Sequence, residues 1–302
     1  ITTPTDGQVL TYDSATQKWV NAAGGGGDGK EIYAVHYSES DSSPASVNYP
    51  AGYDNSSFTD PAYMDFVNDV FHYGDWTAKE NGILFPRSCM LKYDGTVDYY
   101  LDENDETKKE DGVTASDVAN SAYAGNAMME WGKDGKKIYW KIVPDAGNTG
   151  FTFIVANYQP DSSFMPWNHY NFEGNVANHF YMPKYFGSSD GTRLRSISGG
   201  TNYVSTSTAD QVSKAEANNL NASKKIWTIE TYVDRLFEQM MMMLLTKSTN
   251  SQVKFGEGYT KSTNVSAIGQ GTMNGKGMFW GENNGVYGVK VFGRENPYGN
   301  LW

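Results

Sequence analysis

Carboxylates outnumber every other group in this chain that could do acid–base work, with 35 Asp and Glu against 4 His and 1 Cys. Glu130, in Met128-Met129-Glu130-Trp131, is the best single general-acid candidate. Apolar neighbours raise a carboxyl pKa toward the range such an acid needs. The competing role for Glu130 is a buried carboxylate bonded to backbone or arginine. With so many acids, a glycosidase-type pair stays open. His36, His72, His169 and His179 form no His-x-x-x-His or His-x-His spacing, and a single cysteine, Cys89, excludes a disulfide framework and a cysteine-based zinc site. Cys89 lies in an apolar run, Leu84 to Leu91, that suits a buried inert thiol. Ser196-Ile-Ser-Gly-Gly200 lacks the first glycine of a nucleophile elbow, and no Lys-Ser/Thr follows Gly199-Gly200 to make a phosphate loop. Asp94, Asp98, Asp102, Asn104 and Asp105 could gather oxygen ligands for Ca²⁺, but Thr107 stands where an EF-hand needs its turn glycine. A solvated acidic loop is the expectation, with no metal, no cofactor and no catalytic residue.

Recognition chemistry is better represented. Trp280, Asn283, Asn284, Tyr287, Arg294 and Asn296 combine flat apolar faces with hydrogen-bond donors and acceptors. Sugars need that mixture, and so do adaptable protein-binding surfaces. These six are the candidate receptor-binding residues, although Trp280 and Trp302 also suit core packing. Net charge is −11 and no Lys/Arg cluster occurs, so nucleic acid is not an expected partner. The longest apolar run, Met240 to Leu245, is too short to span a bilayer, and membrane insertion is not expected.

Those side chains need elements to hold them. Residues 1–23 read as a small β-hairpin module, 24–29 as a glycine linker and 30–302 as one binding lobe. In the hairpin, Val9, Leu10 and Tyr12 form one apolar strand, Asp13 to Thr16 a polar turn, and Trp19 and Val20 the return strand. So small a hairpin buries too little to stand alone. Val9, Leu10, Tyr12, Trp19 and Val20 are therefore candidate trimerisation residues, satisfied by copies of the hairpin around a threefold axis. In the lobe, Lys30 to Tyr37 predicts an entering strand, and Pro61 to Tyr73 carries apolar groups at a helical period. Strand-like pieces follow at 83–85, 90–93, 97–101, 138–143 and 151–156. Two helices are expected: 208–219, capped by Thr208 with Gln211, and 228–246, whose methionines read as core. Short strands in Gly277 to Gly281 and Gly285 to Phe292 complete an α+β domain.

The final stretch, Phe292-Gly-Arg-Glu-Asn-Pro-Tyr-Gly-Asn-Leu-Trp302, resembles the Gly-x-Glu-Asn-x-Tyr-Gly-Asn-x-Trp signature near the C-terminus of phage tail-fibre adhesins from gut-bacterial (Bacteroides-type) viruses. More distantly it resembles a segment of the formylglycine-generating-enzyme branch of the C-type-lectin fold. Further ordered matches run from residue 84 to 302: Phe85-Pro-Arg-Ser88, Lys92 to Asp102, Gly125 to Trp131 and Leu194 to Gly199. Thr5 to Ala22 resembles a hairpin repeat of phage fibres. The resemblance implies a C-type-lectin-like lobe behind a trimerisation hairpin, some such lobes being diversified by mutagenic retrotranscription. It implies a virion protein of the distal tail fibre that meets other fibre proteins and binds a host bacterial surface glycan or protein. Formylglycine chemistry needs reactive cysteines, and Cys89 lies outside the C-terminal match. A fibre-borne polysaccharide depolymerase and a bacterial cell-surface adhesin are the alternative readings. The chain opens on Ile1, which suits a fragment or processed form, and the corner at Tyr298 to Trp302 leads to the expectation that the natural protein continues beyond Trp302.

Overall fold

A computed structural model describes residues 8–13, 18–23, 29–39, 47–79, 85–221, 223–260 and 268–299. It is a mixed α+β structure, mostly sheet with few helices, and it has no closed barrel among the described residues. Strands β1 (Gln8–Asp13) and β2 (Lys18–Ala23) pair antiparallel, Tyr12 opposite Trp19.

Two sheets carry most of the lobe. Strand β3 (Ile32–Ser38) is followed by the hairpin β4 (Tyr63–Asp65) and β5 (Val70–His72), then by β6 (Arg87–Lys92), β7 (Val97–Tyr100), β8 (Gly125–Trp131), β9 (Tyr139–Pro144) and β10 (Gly150–Ala156). One antiparallel sheet has the order β3-β10-β9; the other, completed by β11 (Phe180–Pro183), has the order β11-β8-β6-β7. Period-two alternation fixes the faces of the first sheet. Tyr33, Val35, Phe153 and Val155 enter the main core, while Ala34 and Ile154 meet Phe164 on the other side. Central strand β8 is buried along its whole length.

The second half supplies the hairpin β12 (Ser188–Ser189) and β13 (Leu194–Arg195), the helices α1 (Thr208–Glu216), α2 (Tyr232–Thr246) and α3 (Ser251–Phe255), and the meander β14 (Trp280–Gly281), β15 (Val289–Val291) and β16 (Arg294–Glu295). Both longer helices start where a side chain caps them, which differs from the expected boundaries. Ser207, not Thr208, accepts from the Asp210 N–H, and Asp210 itself is tied to Tyr203 and Thr206. Thr231 and Asp234 form a reciprocal capping box, so α2 begins at Tyr232 and not near 228. Met241 to Leu245 are all buried, so the last turns of α2 are sunk into the core on every side. Each such side chain contributes about 1.5–3 kcal/mol. The Tyr49 hydroxyl and the Ala62 N–H donate to the carbonyls of Leu244 and Leu245, groups a helix end leaves open.

The helix expected over 61–73 is instead the β4–β5 hairpin. Asp65 accepts from the N–H groups of Val67 and Asn68, and Asp69 adopts a left-handed φ of 55°. That local bonding favours a turn over helix, as aspartate does where its side chain reaches the backbone. In the C-terminal stretch, residues 285–288 are turn and not strand. The tight connection of β15 to β16 puts Phe292 at φ 50° and Gly293 at φ 72°, as a type I′ turn requires. A phenylalanine pays strain there. Its ring is fully buried against Trp131 and Phe279, which offsets that cost. Of the corner expected over Tyr298 to Trp302, residues 300–302 lie outside the described residues.

Candidate functional site

The turn of the β4–β5 hairpin and the loop after β14 together form an open cleft of about 370 Å³, lined by Phe66, Asp69, Glu282, Asn283 and Asn284. Both walls follow from local sequence. Asp65 shapes the first turn. In the second, the Asn284 carboxamide oxygen accepts from the Val286 N–H and its amide donates to Glu282. Asn283 is exposed, and Phe66 presents a half-buried ring.

Trp280 ties the two turns together. It packs with Met64 and Met273, only 8% exposed, and its indole N–H donates to Asp69. Lys276 lies 4.5 Å from the indole centroid and 3.0 Å from the Asp69 carboxylate. Burial pushes the Asp69 carboxyl up, but the bonds from Lys276 and Trp280 outweigh it and hold the pKa below the usual carboxylate range. Tyr287, 51% exposed, stands edge-on to Trp280 at 6.4 Å. Val67 and Val286 are exposed on the same two turns, Val67 at 92%, and Val70 is exposed at the start of β5.

Four of the six receptor-binding candidates therefore lie at one place, Trp280 as support and Asn283, Asn284 and Tyr287 as surface. The other two do not reach it. Arg294 is 5% exposed and Asn296 2%. The Arg294 guanidinium donates to the Pro183 carbonyl at 2.9 Å and pairs with Glu230 at 2.9 Å and Glu238 at 2.8 Å. Burial lifts the Glu238 carboxyl above its ordinary range, against the pull of Arg294. Removing the arginine would leave that acid buried and alone, which costs about 3–5 kcal/mol. The Asn296 carboxamide oxygen accepts from the Val289 N–H, locking β15 to the residue after β16. Their polar character suggested a surface; the physical reason for burial is a second layer of charge behind the meander. Lys184 and Lys290, both fully buried, share Glu106, and burial lowers the Lys184 ammonium to about 8.

The residues weighed for catalysis, Glu130, Cys89 and Ser196, are all buried. Both Glu130 oxygens accept tyrosine hydroxyls, Tyr100 at 3.0 Å and Tyr181 at 2.8 Å, with His179 Nδ1 at 3.8 Å. The partners are phenols, not backbone or arginine. Burial pushes the Cys89 thiol far up, which keeps it an unreactive thiol. The Ser196 hydroxyl donates to the Ala127 carbonyl inside the core. Asp94, Asp102 and Asp105 each close their own turn by accepting from residues two or three further on. Among the described residues no group of three or more His, Cys, Asp or Glu could hold a metal ion, and no helix is long and apolar enough to cross a membrane.

Phe66, Asp69 and Glu282 escaped the sequence reading, the first two because a helical period hid the Asx turn at Asp65. Also missed were Trp167, Tyr170 and Phe172, exposed on a loop held by buried Asn168 and His169. The recurrence of asparagine at 168, 171 and 175, with Gly174, was the available signal for that loop. No protein-family model, curated protein or solved structure matches this chain.

Proposed function

We propose that this chain is the receptor-binding part of a distal phage tail fibre, a trimeric adhesin that attaches the virion to a glycan or protein on a bacterial surface. The observation that carries the reading is the cleft, where Asn283 and Asn284 meet Phe66 and Asp69 on loops anchored by a buried tryptophan, with Tyr287 exposed beside that tryptophan. Rigidly held loops offering aromatic faces and amides suit recognition, because little ordering is left to pay on binding. The lobe is read as C-type-lectin-like on the resemblance of its C-terminal segment. Short antiparallel sheets, two longer helices and a meander near the C-terminus make the lobe α+β, the class to which such a domain belongs.

The test is attachment of fluorescent protein to host cells, comparing wild type with Asn283→Ala/Tyr287→Ala. A loss of at least tenfold in attachment is expected with unchanged circular dichroism. Attachment equal to wild type would remove the cleft from the function. Release of reducing ends from host capsule would favour a depolymerase instead.

A further inference from the structure

We propose, building on the adhesin reading, that the cleft between the 66–69 turn and the 282–284 loop takes an uncharged sugar unit and turns acidic sugars away. Among the described residues lining the cleft, both charged groups are carboxylates, Asp69 and Glu282, and none is a cation. Lys276 is the neighbouring cation, and it is engaged by the Asp69 carboxylate and the Trp280 face. A ligand carboxylate or sulfate would therefore face like charge with no free ammonium or guanidinium among the described lining residues to meet it, a desolvation and repulsion that neutral amide donors offset only in part. Sugar hydroxyls present the complementary chemistry. They donate to carboxylate oxygens and accept from the Asn283 and Asn284 amides. The Phe66 ring offers an apolar face to the C–H side of a pyranose.

A sugar unit fits the cleft by size. The cleft's volume of about 370 Å³ falls at the small end of ligand pockets, which run from about 300 to 1,000 Å³. Glu282 is the residue that sets the charge preference in this scheme, since Asp69 is already paired with Lys276 while Glu282 is bonded to an uncharged amide.

Titration calorimetry of the full chain against neutral oligosaccharides of hexoses and N-acetylhexosamines, and against uronic-acid and sialylated counterparts, tests the idea. At least one neutral series should bind, with its acidic counterparts at least tenfold weaker. Asn283→Ala should weaken the neutral ligand at least fivefold. Glu282→Gln should narrow the neutral-to-acidic gap while leaving circular dichroism unchanged. Acidic ligands binding as tightly as neutral ones would overturn the inference. So would binding that survives the cleft variants and disappears in Trp167→Ala/Phe172→Ala. Attachment to host cells with no sugar bound would defeat the inference and leave the adhesin reading standing, whereas sugar binding without attachment would do the reverse.

Discussion

His169 shows how a single side chain in this lobe is fixed by both of its ring nitrogens. The Ile138 N–H donates to Nε2 at 2.9 Å, so that nitrogen carries no proton, and Nδ1–H donates to the Ala177 carbonyl at 3.1 Å. Burial lowers the imidazole pKa from 6.5 to about 4. Protonation would both charge a buried ring and break the bond from Ile138. Between pH 6.5 and 4 the unfolded chain holds a proton at this position that the folded chain does not. His169 therefore contributes stability that is fully present above pH 6.5 and is lost as pH falls toward 4. The amount is about 3 kcal/mol, at about 1.4 kcal/mol per pH unit. Glu238 and Glu295, both raised by burial, act in the opposite direction above their ordinary range, so a difference measurement is needed. In urea titrations at pH 7 and pH 4, wild type should lose about 3 kcal/mol more than His169→Gln. Parallel losses in the two proteins would show that the imidazole is charged in the fold or reached by water.

At the scale of elements, the site depends on how closely α3 approaches the C-terminal meander. A β-carbon at Gly281 would stand 2.0 Å from the Phe255 carbonyl oxygen, and one at Gly256 2.9 Å from the Glu282 nitrogen. Two backbones are thus in direct contact, and the Glu257 N–H donates to the Glu282 carbonyl across the seam. Because the obstructing atom is backbone, Gly281→Ala cannot be absorbed by a rotamer change. Overpacking of this kind costs about 1–3 kcal/mol. Thermal unfolding should show that loss, and it should come with weaker ligand binding at the neighbouring cleft; an unchanged midpoint would mean that α3 and β14 separate without cost. Much of this level was legible in the sequence. β-branched and aromatic runs marked β3, β7, β9 and β10, the apolar 90–93 stretch caught the end of β6, and the methionine run marked the core end of α2. What was hidden depended on bonds that no periodicity reports. The Asp65 turn converted an apparent helix into the hairpin that makes one wall of the cleft. Glu230 and Glu238, brought together from the α2 region, drew Arg294 into the interior. Residue type singled out Asn283, Asn284 and Tyr287, whereas Phe66 and Asp69, which line the cleft with the two asparagines, arrive from more than two hundred residues away.

At the scale of the whole molecule, the expected trimer follows from the smallest module. Strands β1 and β2 pair over six residues each and form a two-stranded sheet of their own. An isolated two-stranded hairpin is marginal in water, and it gains stability when a third layer covers one face. Three copies wound together would supply that layer and would bring three clefts to one end of a fibre. Multivalency then converts weak single contacts into firm attachment, since linked sites can raise avidity by about 10²–10⁴ without a new contact. Light scattering of the intact chain should return about three times its 33.4 kDa mass. Removal of residues 1–23 should yield a monomer whose affinity for a soluble ligand is unchanged and whose attachment to cells falls at least a hundredfold. The first readout reports assembly and the second its use, so they fail separately. An intact chain that stays monomeric at micromolar concentration would refute the trimer. A truncated monomer that attaches as firmly as the intact protein would show that a single cleft, acting alone, suffices for attachment.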